Sequence, residues 1–397
     1  MTGSPKTVSL AFMRPVLIWL STAAVIAGTA GLKASAADTP GGQGGWDPEK
    51  AAQYLDGRMD SWLAKATKLK TGDGKTSCMS CHSVMPYLLA RPALRRAMGV
   101  SAPTPQETRL LEEITRRVET FGSHQAMYDR QPEQSRGTEA VLNLLVLTQA
   151  DARERRPQPS ALCRKALQEL LEEQRPDGAW AWLDFALEPT ESADARYGGA
   201  ALAAFALGTA PGLFAAGPDA EHLARLRAYL KGNYARQNLH NRALLLLAST
   251  RLNGLLSQDQ RASAIAELKA RQNEDGGWSL RRLGPWRWSK GAPPDAPGGS
   301  AEASLPSQSD GYATGLIAYV LRQAGLLADD PALKGAIDWL KANQEECSFD
   351  DQLWTCWQTP SLNHARDNGG YQGEPRKSVV MSDMATAFAV LALSPPD

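Results

Sequence analysis

The chain has 397 residues, of which 43% are hydrophobic and 22% charged, and its 43 basic residues balance 43 acidic ones. A chain of this length and composition buries a substantial core. Because it is neutral, it offers no basic face for nucleic acid, so we expect no nucleic-acid partner.

The N-terminal segment has the layout of a secretory signal peptide. Two basic residues precede an apolar run at 15–27, and small residues at 34–36 form a cleavage site. The alternative is a retained membrane anchor, although the run is short for a span. We predict a signal peptide at 1–36, a flexible linker at 37–50, and a periplasmic or otherwise exported protein without a spanning helix in its mature part.

Two kinds of helical segment alternate along the mature chain, 51–397. A single apolar stripe predicts an outer helix, whereas a Gly- and Ala-rich segment that is apolar all round predicts a buried inner helix. The outer type begins near residues 51, 112, 162, 222, 262 and 334. The inner type includes 86–98, 140–147, 197–207, 244–248, 312–321 and 384–393. This order predicts one all-α domain, an α6/α6 toroid of six outer–inner hairpins around a central cavity.

A short motif closes several of the outer segments. The pattern Gln-x-x-x-Gly-x-Trp begins at Gln174 and Gln272, and a weaker copy begins at Gln344, with tryptophans farther downstream. Gln side chains bind free helix-end groups and Trp packs on a neighbouring turn. We therefore expect the motif to tie neighbouring hairpins together.

These repeats resemble the Gln–Trp repeats of squalene–hopene cyclases and related triterpene cyclases, whose toroid also occurs in protein prenyltransferase β-subunits. The resemblance implies the same toroid over most of the mature chain. The activity is not implied, because the sequence lacks the Asp-x-Asp-Asp motif that protonates the alkene and the DDxxD motif that binds diphosphate through magnesium. The zinc ligands of the prenyltransferases have no counterpart either, so terpene cyclisation is not expected.

The motif Cys78-Met-Ser-Cys81-His82 matches C-x-x-C-H, the attachment signature of c-type haem. Two thiols at this spacing reach the two vinyl groups of one haem, and the adjacent imidazole then faces the iron. The motif at 78–82 predicts covalent haem c on Cys78 and Cys81, with His82 as the proximal ligand of the iron. Two alternatives remain: a disulfide or redox pair beside an incidental histidine, and half of a zinc site.

The second axial ligand is sought in the loops of the hairpins that neighbour hairpin one. In a closed ring these are hairpins two and six. An open sixth position is an equal alternative. The candidates are His124, Met127, His364, Met381 and Met384.

Acidic residues recur at the starts of the inner segments. They are Glu139, Asp194, Asp310 and Asp383. Helix capping is the main interpretation. The alternative is a ring of carboxylates at the cavity mouth that binds cations or transfers protons.

The leading hypothesis is an exported haem protein that transfers electrons to a redox partner or acts on an apolar small molecule. One alternative is a haem-free enzyme that uses the carboxylates, with Tyr197, Tyr312 and Trp278, on an isoprenoid or polysaccharide. Another is a non-catalytic binding scaffold. Cys347 and Cys356 flank one loop and could form a disulfide in an oxidising compartment.

Overall fold

The computed structural model describes residues 45–185, 187–210, 219–286, 306–360 and 379–395. Twelve α-helices within these ranges alternate between an outer and an inner layer, and they are numbered here in chain order. The outer helices are α1 (Pro48–Lys65), α3 (Pro105–Glu119), α5 (Ala161–Glu172), α7 (Asp219–Asn233), α9 (Gln258–Ala270) and α11 (Pro331–Ala342). The inner helices are α2 (Val84–Ala97), α4 (Pro132–Arg153), α6 (Ala195–Thr209), α8 (Leu239–Ala248), α10 (Gly311–Gln323) and α12 (Val379–Leu393).

The inner helices form a closed ring. Each packs against the next along the chain, and α12 packs against α2. On α12 every residue from Val380 to Ala392 is buried, whereas α3 buries the stripe Leu110, Ile114 and Val118. A helix buried on all sides belongs to an inner layer, and a helix with one buried stripe belongs to an outer layer. The predicted α6/α6 toroid is therefore confirmed.

Small residues let the inner helices approach closely. A Cβ atom on Gly315 of α10 would lie 2.6 Å from the backbone nitrogen of Ala389 on α12. The ring axis itself is filled, which differs from the expected central cavity. Trp182, Tyr312 and Phe388 project inward around a residual space of about 40 Å³. The interior is therefore a packed core.

Two antiparallel β-hairpins accompany the helices, and the all-α prediction missed both. Strands β1 (Lys68–Thr71) and β2 (Gly74–Ser77) follow α1. Strands β3 (Glu345–Phe349) and β4 (Gln352–Cys356) follow α11. The predicted disulfide between Cys347 and Cys356 is confirmed and joins β3 to β4.

The tryptophans of the repeated motif make the same hydrogen bond in three hairpins. Each indole N–H donates to a backbone carbonyl of the preceding outer helix. The pairs are Trp180 to Leu170 (2.7 Å), Trp278 to Leu268 (2.8 Å) and Trp357 to Leu340 (2.9 Å). Trp357 therefore completes the weak third copy, with the β3–β4 hairpin inserted between it and Gln344.

The glutamines of the motif reach the next outer helix around the ring. Each side-chain amide donates to a carbonyl at or beside the start of that helix. The pairs are Gln174 to His222 (3.0 Å), Gln272 to Ala332 (2.8 Å) and Gln344 to Asp47 (3.0 Å). The expectation that the motif ties neighbouring hairpins together is confirmed.

The predicted signal peptide and most of the linker lie outside the described residues. Within the described ranges, no helix is both long enough and apolar enough to cross a membrane. The first outer helix begins at Pro48, where the Asp47 side chain accepts a hydrogen bond from the backbone of Lys50 at 3.0 Å.

Candidate functional site: the cavity beside His82

The Cys-x-x-Cys-His motif lies in the loop between β2 and α2. Outer-to-inner connections such as this loop lead into the N-terminal ends of the inner helices. Cys78 and Cys81 are free thiols and are only 8% and 2% exposed, and His82 is 7% exposed. The motif therefore lies just before the first inner helix, as its position in the repeat predicts.

A cavity of about 870 Å³ adjoins His82. Its walls come from α1, from the loops before α4 and α6, from the β3–β4 turn and from the start of α12. The side chains that line it include Arg58, Trp62, His82, Tyr128, Glu191 and Phe349. The cavity thus combines aromatic walls with buried charged groups.

The imidazole of His82 is held at both nitrogens. Its Nδ1 lies 2.9 Å from Ser80 Oγ and 3.3 Å from Ser83 Oγ, while Nε2 lies 3.6 Å from Glu191 Oε1. Burial, together with the positive charge of Arg58, lowers the pKa of His82 to about 4. The imidazole is therefore neutral at neutral pH, as a metal ligand must be.

Both thiols of the motif are held in the protonated form. Burial raises the pKa of Cys78 to about 11, against the opposing effect of a 3.5 Å contact with the Tyr128 hydroxyl. Burial and the nearby Glu191 carboxylate raise the pKa of Cys81 well above its usual range. Because disulfide exchange proceeds through a thiolate, thiols in this environment exchange slowly.

The residues fit a c-type haem in the type of their donor atoms, which are two free thiols and a neutral imidazole. His82 borders a cavity with aromatic walls, whereas neither thiol is among the residues that line it. Two features limit this fit. Cys81 borders the narrow space on the ring axis, and Glu191 Oε1 must turn away from His82 Nε2 before iron can bind there.

The carboxylates that the sequence singled out do not form a ring at the cavity mouth. Asp310 caps α10: it accepts hydrogen bonds from the backbone of Ala313 at 2.9 Å and from the Thr359 hydroxyl at 2.6 Å. Asp194 directly precedes α6, and its backbone carbonyl accepts from the Asn241 side chain. Neither residue borders the cavity beside His82.

Asp383 lies within α12 and is engaged in a buried ion pair. Arg58 donates to its two oxygens at 2.7 and 2.9 Å, Tyr54 OH donates at 3.0 Å, and Ser83 Oγ donates at 2.6 Å. Its carboxylate is thereby linked to His82 through Ser83. The sequence suggested a cap or a cavity acid at this position and gave no indication of this contact.

The described candidates for a distal ligand lie elsewhere. His124 pairs with Glu139 at 3.3 Å, and Arg117 completes this buried cluster at 2.6 Å. Met381 and Met384 are buried in α12. Like Met127, all of these are absent from the walls of the cavity, and His364 lies outside the described residues.

Glu191 is the residue beside His82 that the sequence did not single out. It lies in the loop before α6, where its backbone carbonyl accepts from the N–H groups of Phe185 at 2.8 Å and Leu187 at 3.0 Å. No motif marks this position.

Over the described ranges, no group of three or more His, Cys, Asp or Glu is arranged to hold a metal ion, so the zinc alternative lacks further ligands there.

Neither a protein-family profile nor a curated protein sequence matches this chain. Among solved structures, the unsaturated glucuronyl hydrolase of Bacillus sp. GL1 is similar at 13% identity and a TM-score of 0.50, over 87% of this chain and 96% of that one. An inactive variant of the α-1,6-mannanase GH76A of Salegentibacter sp. HEL1_6 is similar at 12% identity and a TM-score of 0.50, over 88% and 99%. The type II terpene cyclase MstE of Scytonema aligns at 14% identity with a TM-score of 0.43, over 87% and 98%. At these identities, the likeness to the first two shows the fold: the chain is an α/α toroid.

Proposed function

We propose that this chain is an exported c-type haem protein that binds haem through Cys78 and Cys81, with His82 as a ligand of the iron. The observation that carries the proposal is the arrangement at His82, where a neutral imidazole borders a cavity of about 870 Å³ and follows two free thiols in the same loop. The Cys-x-x-Cys-His spacing supplies the donor set that covalent haem attachment needs.

Each residue around the site has a part in this proposal. Cys78, Cys81 and His82 would hold the haem, which would supply a one-electron couple. Ser80 and Ser83 orient the His82 ring, and the Trp62 indole packs edge-on against it with ring centroids 6.0 Å apart. Tyr128 and Trp62 also line the cavity, and a redox partner or an apolar molecule would meet the site from its open side.

The test is covalent haem in protein exported together with haem-maturation factors. We expect a haem-stained band on a denaturing gel and a pyridine-haemochrome spectrum typical of haem c. Cys78→Ala/Cys81→Ala should abolish both signals, whereas Cys163→Ala should keep them, because Cys163 is a buried free thiol outside the motif. A colourless wild type in competent cells would overturn the proposal.

A second candidate is a haem-free enzyme that acts on a carbohydrate in the same cavity. Two carboxylates, Glu191 and Asp350, border this cavity, and glycoside hydrolysis generally uses two. The titles of the two similar structures name a glucuronyl hydrolase and a mannanase. The environments of the two groups differ: Glu191 is buried beside His82, whereas Asp350 pairs with Lys65, which lowers its pKa.

This candidate predicts turnover without haem. Unsaturated glucuronides and α-1,6-mannan would be incubated with the Cys78→Ala/Cys81→Ala protein and with its Glu191→Gln derivative. Product that appears with the first protein and is lost with the second would support the carbohydrate enzyme. Absence of product with the first protein on both substrates would count against it.

A further inference from the structure

A second pocket lies on the ring axis at the C-terminal ends of the inner helices, opposite the end of the ring that carries His82. All six inner helices contribute side chains to its walls. Its volume is about 40 Å³, which is space for about three water molecules. A ligand of the size of a sugar or a nucleotide therefore does not fit, whereas a small ion does.

Three arginines line this pocket, and none of the described residues in its walls is acidic. They are Arg153, Arg251 and Arg322. Burial raises the pKa of the Tyr319 hydroxyl in the same walls, and the positive charges of all three arginines oppose this rise. Since each charge acts on the same hydroxyl, the three guanidinium groups lie around one point. An anion would be attracted to this point.

Helix capping explains part of this cluster, because cations are favoured at helix C-termini. Arg322 donates from Nη1 to Ala392 O at 2.7 Å and from Nη2 to Leu391 O, at the end of α12. These bonds engage both terminal nitrogens of the guanidinium group but not Nε. Arg251 instead donates to the Gln323 side chain at 3.3 Å and is exposed. Capping therefore accounts for Arg322 in part and does not account for Arg251.

Two buried donors in the walls have no acceptor among the described residues. They are the hydroxyl of Ser394, a residue that is only 2% exposed, and Nε of Arg322. The two residues are neighbours, since Arg322 Nη1 also donates to the Ser394 carbonyl. Buried donors are nearly always paired in folded proteins, and an unpaired one is costly. Together with the positive charge of the walls, the unpaired donors point to an anionic ligand with several acceptor atoms.

We propose that this pocket is a binding site for a small inorganic oxyanion, phosphate or sulfate, held by Arg251, Arg322 and the Ser394 hydroxyl. The oxygens of such an ion accept several hydrogen bonds at once, and guanidinium groups match them in a planar, often bidentate geometry. The bound ion joins the ends of α8, α10 and α12 and so stabilises one end of the ring. The site lies at the opposite end from the Cys-x-x-Cys-His motif, and the proposal is independent of haem.

Isothermal titration calorimetry of the chain with inorganic phosphate, and separately with sulfate, tests the proposal. Each oxyanion should bind at a single site and should raise the melting temperature. Chloride at the same ionic strength is the control for general screening and should raise the melting temperature less. Absence of binding by both oxyanions, or an equal effect of chloride, would overturn the proposal.

Two substitutions locate the ion. Ser394→Ala and Arg251→Ala should each weaken phosphate binding about tenfold or more, because each removes a donor to a charged ligand. Both proteins should keep the wild-type circular dichroism spectrum, since the Ser394 hydroxyl has no partner among the described residues and Arg251 is exposed.

Arg236→Ala is the matched control. It removes an exposed arginine that lies just before α8, at the other end of the ring, so this protein should bind phosphate like wild type. Wild-type affinity in either Ser394→Ala or Arg251→Ala would mean that the ion binds elsewhere and would overturn the proposal.

Discussion

Gln344 binds both backbone groups of Asp47, a residue 297 positions earlier in the chain. Its Oε1 accepts from Asp47 N at 2.6 Å, and its Nε2 donates to Asp47 O at 3.0 Å. Asp47 is the N-cap of the first outer helix, and Gln344 follows the last one. This side chain therefore joins the two ends of the outer layer, where Trp46 also packs against Trp357 with ring centroids 5.8 Å apart.

We expect Gln344→Ala to lower the free energy of unfolding by about 1–3 kcal/mol, since two partly buried hydrogen bonds are lost. Urea unfolding followed by circular dichroism measures the change. Gln168→Ala is the control: Gln168 bonds only to Glu172 on an exposed face, so its change should stay within about 0.5 kcal/mol. Equal effects of the two substitutions would contradict the role of Gln344 in ring closure.

The second prediction concerns the indole of Trp357, which is fully buried and donates to Leu340 O. Trp357→Phe keeps an aromatic ring but leaves that carbonyl with only the 3.4 Å hydrogen bond from the backbone N–H of Asn343, so we expect a loss of about 1–3 kcal/mol. Trp354→Phe is the matched control, because the Trp354 indole N–H is buried without a hydrogen bond to any described residue. That change should be close to neutral in the same unfolding assay. If Trp354→Phe were the more damaging of the two, the assignment of Trp357 to the repeated motif would be wrong.

The helical layers were predictable because their signal is local and repeated. About ten residues suffice to distinguish an outer helix, which has a single apolar stripe, from an inner helix, which is Ala-rich and apolar all round. The two patterns alternate along the chain. The β-hairpins were missed since their strands are only four or five residues long and mostly polar. The β3–β4 insertion also displaced Trp357, which made the third repeat look incomplete.

The site was predictable only where its residues are neighbours in sequence. Cys78, Cys81 and His82 form one motif, and its position before an inner helix follows from the repeat. Glu191 and Asp383 reach His82 and Ser83 only because the ring brings three different hairpins together. No local pattern carries that information, and an acid near a helix start looks like a cap whether or not it is one.

The third prediction concerns Glu169, a buried carboxyl on α5. Neither of its oxygens makes a hydrogen bond with a described residue, and burial, with repulsion from Glu139 and Glu172, raises its pKa to about 8. A carboxyl whose pKa is raised by folding stabilises the protein at low pH, and this stabilisation is lost as pH rises from about 4.5 to 8. Glu169→Gln should therefore be close to wild type at pH 5 but more stable by about 2–4 kcal/mol at pH 8.5.

Unfolding in urea at the two pH values measures this change. Glu112→Gln, at an exposed carboxyl on α3 that is not among the charges acting on Glu169, is the control and should show no such difference between pH 5 and pH 8.5. A Glu169→Gln protein less stable than wild type at pH 8.5 would mean that the carboxylate has a partner outside the described residues.

The last prediction separates capping from chemistry at Asp310. Its carboxylate accepts hydrogen bonds from the backbone of Leu280 and Ala313 and from the Thr359 hydroxyl. We expect Asp310→Ala to cost about 2–4 kcal/mol of unfolding free energy, because these donors lose their acceptor. Burial raises the pKa of Asp310 to about 6, against the opposing effect of the hydrogen bonds. Its contribution to stability is therefore largest below pH 4 and falls as pH rises through 6, so the cost of Asp310→Ala should be greater at pH 4 than at pH 7.

Asp330, the N-cap of α11, is the matched control with the opposite sign. A hydrogen bond from Lys269 lowers its pKa, so its contribution is present at neutral pH and is lost as pH falls below about 4. The cost of Asp330→Ala should therefore be greater at pH 7 than at pH 3. The pH dependence of each cost is measured by urea unfolding at the two pH values. If Asp310→Ala instead left stability unchanged at both pH values and removed an activity, the capping role would be wrong. The alternative role of Asp310, a carboxylate that binds cations or transfers protons, would then be supported.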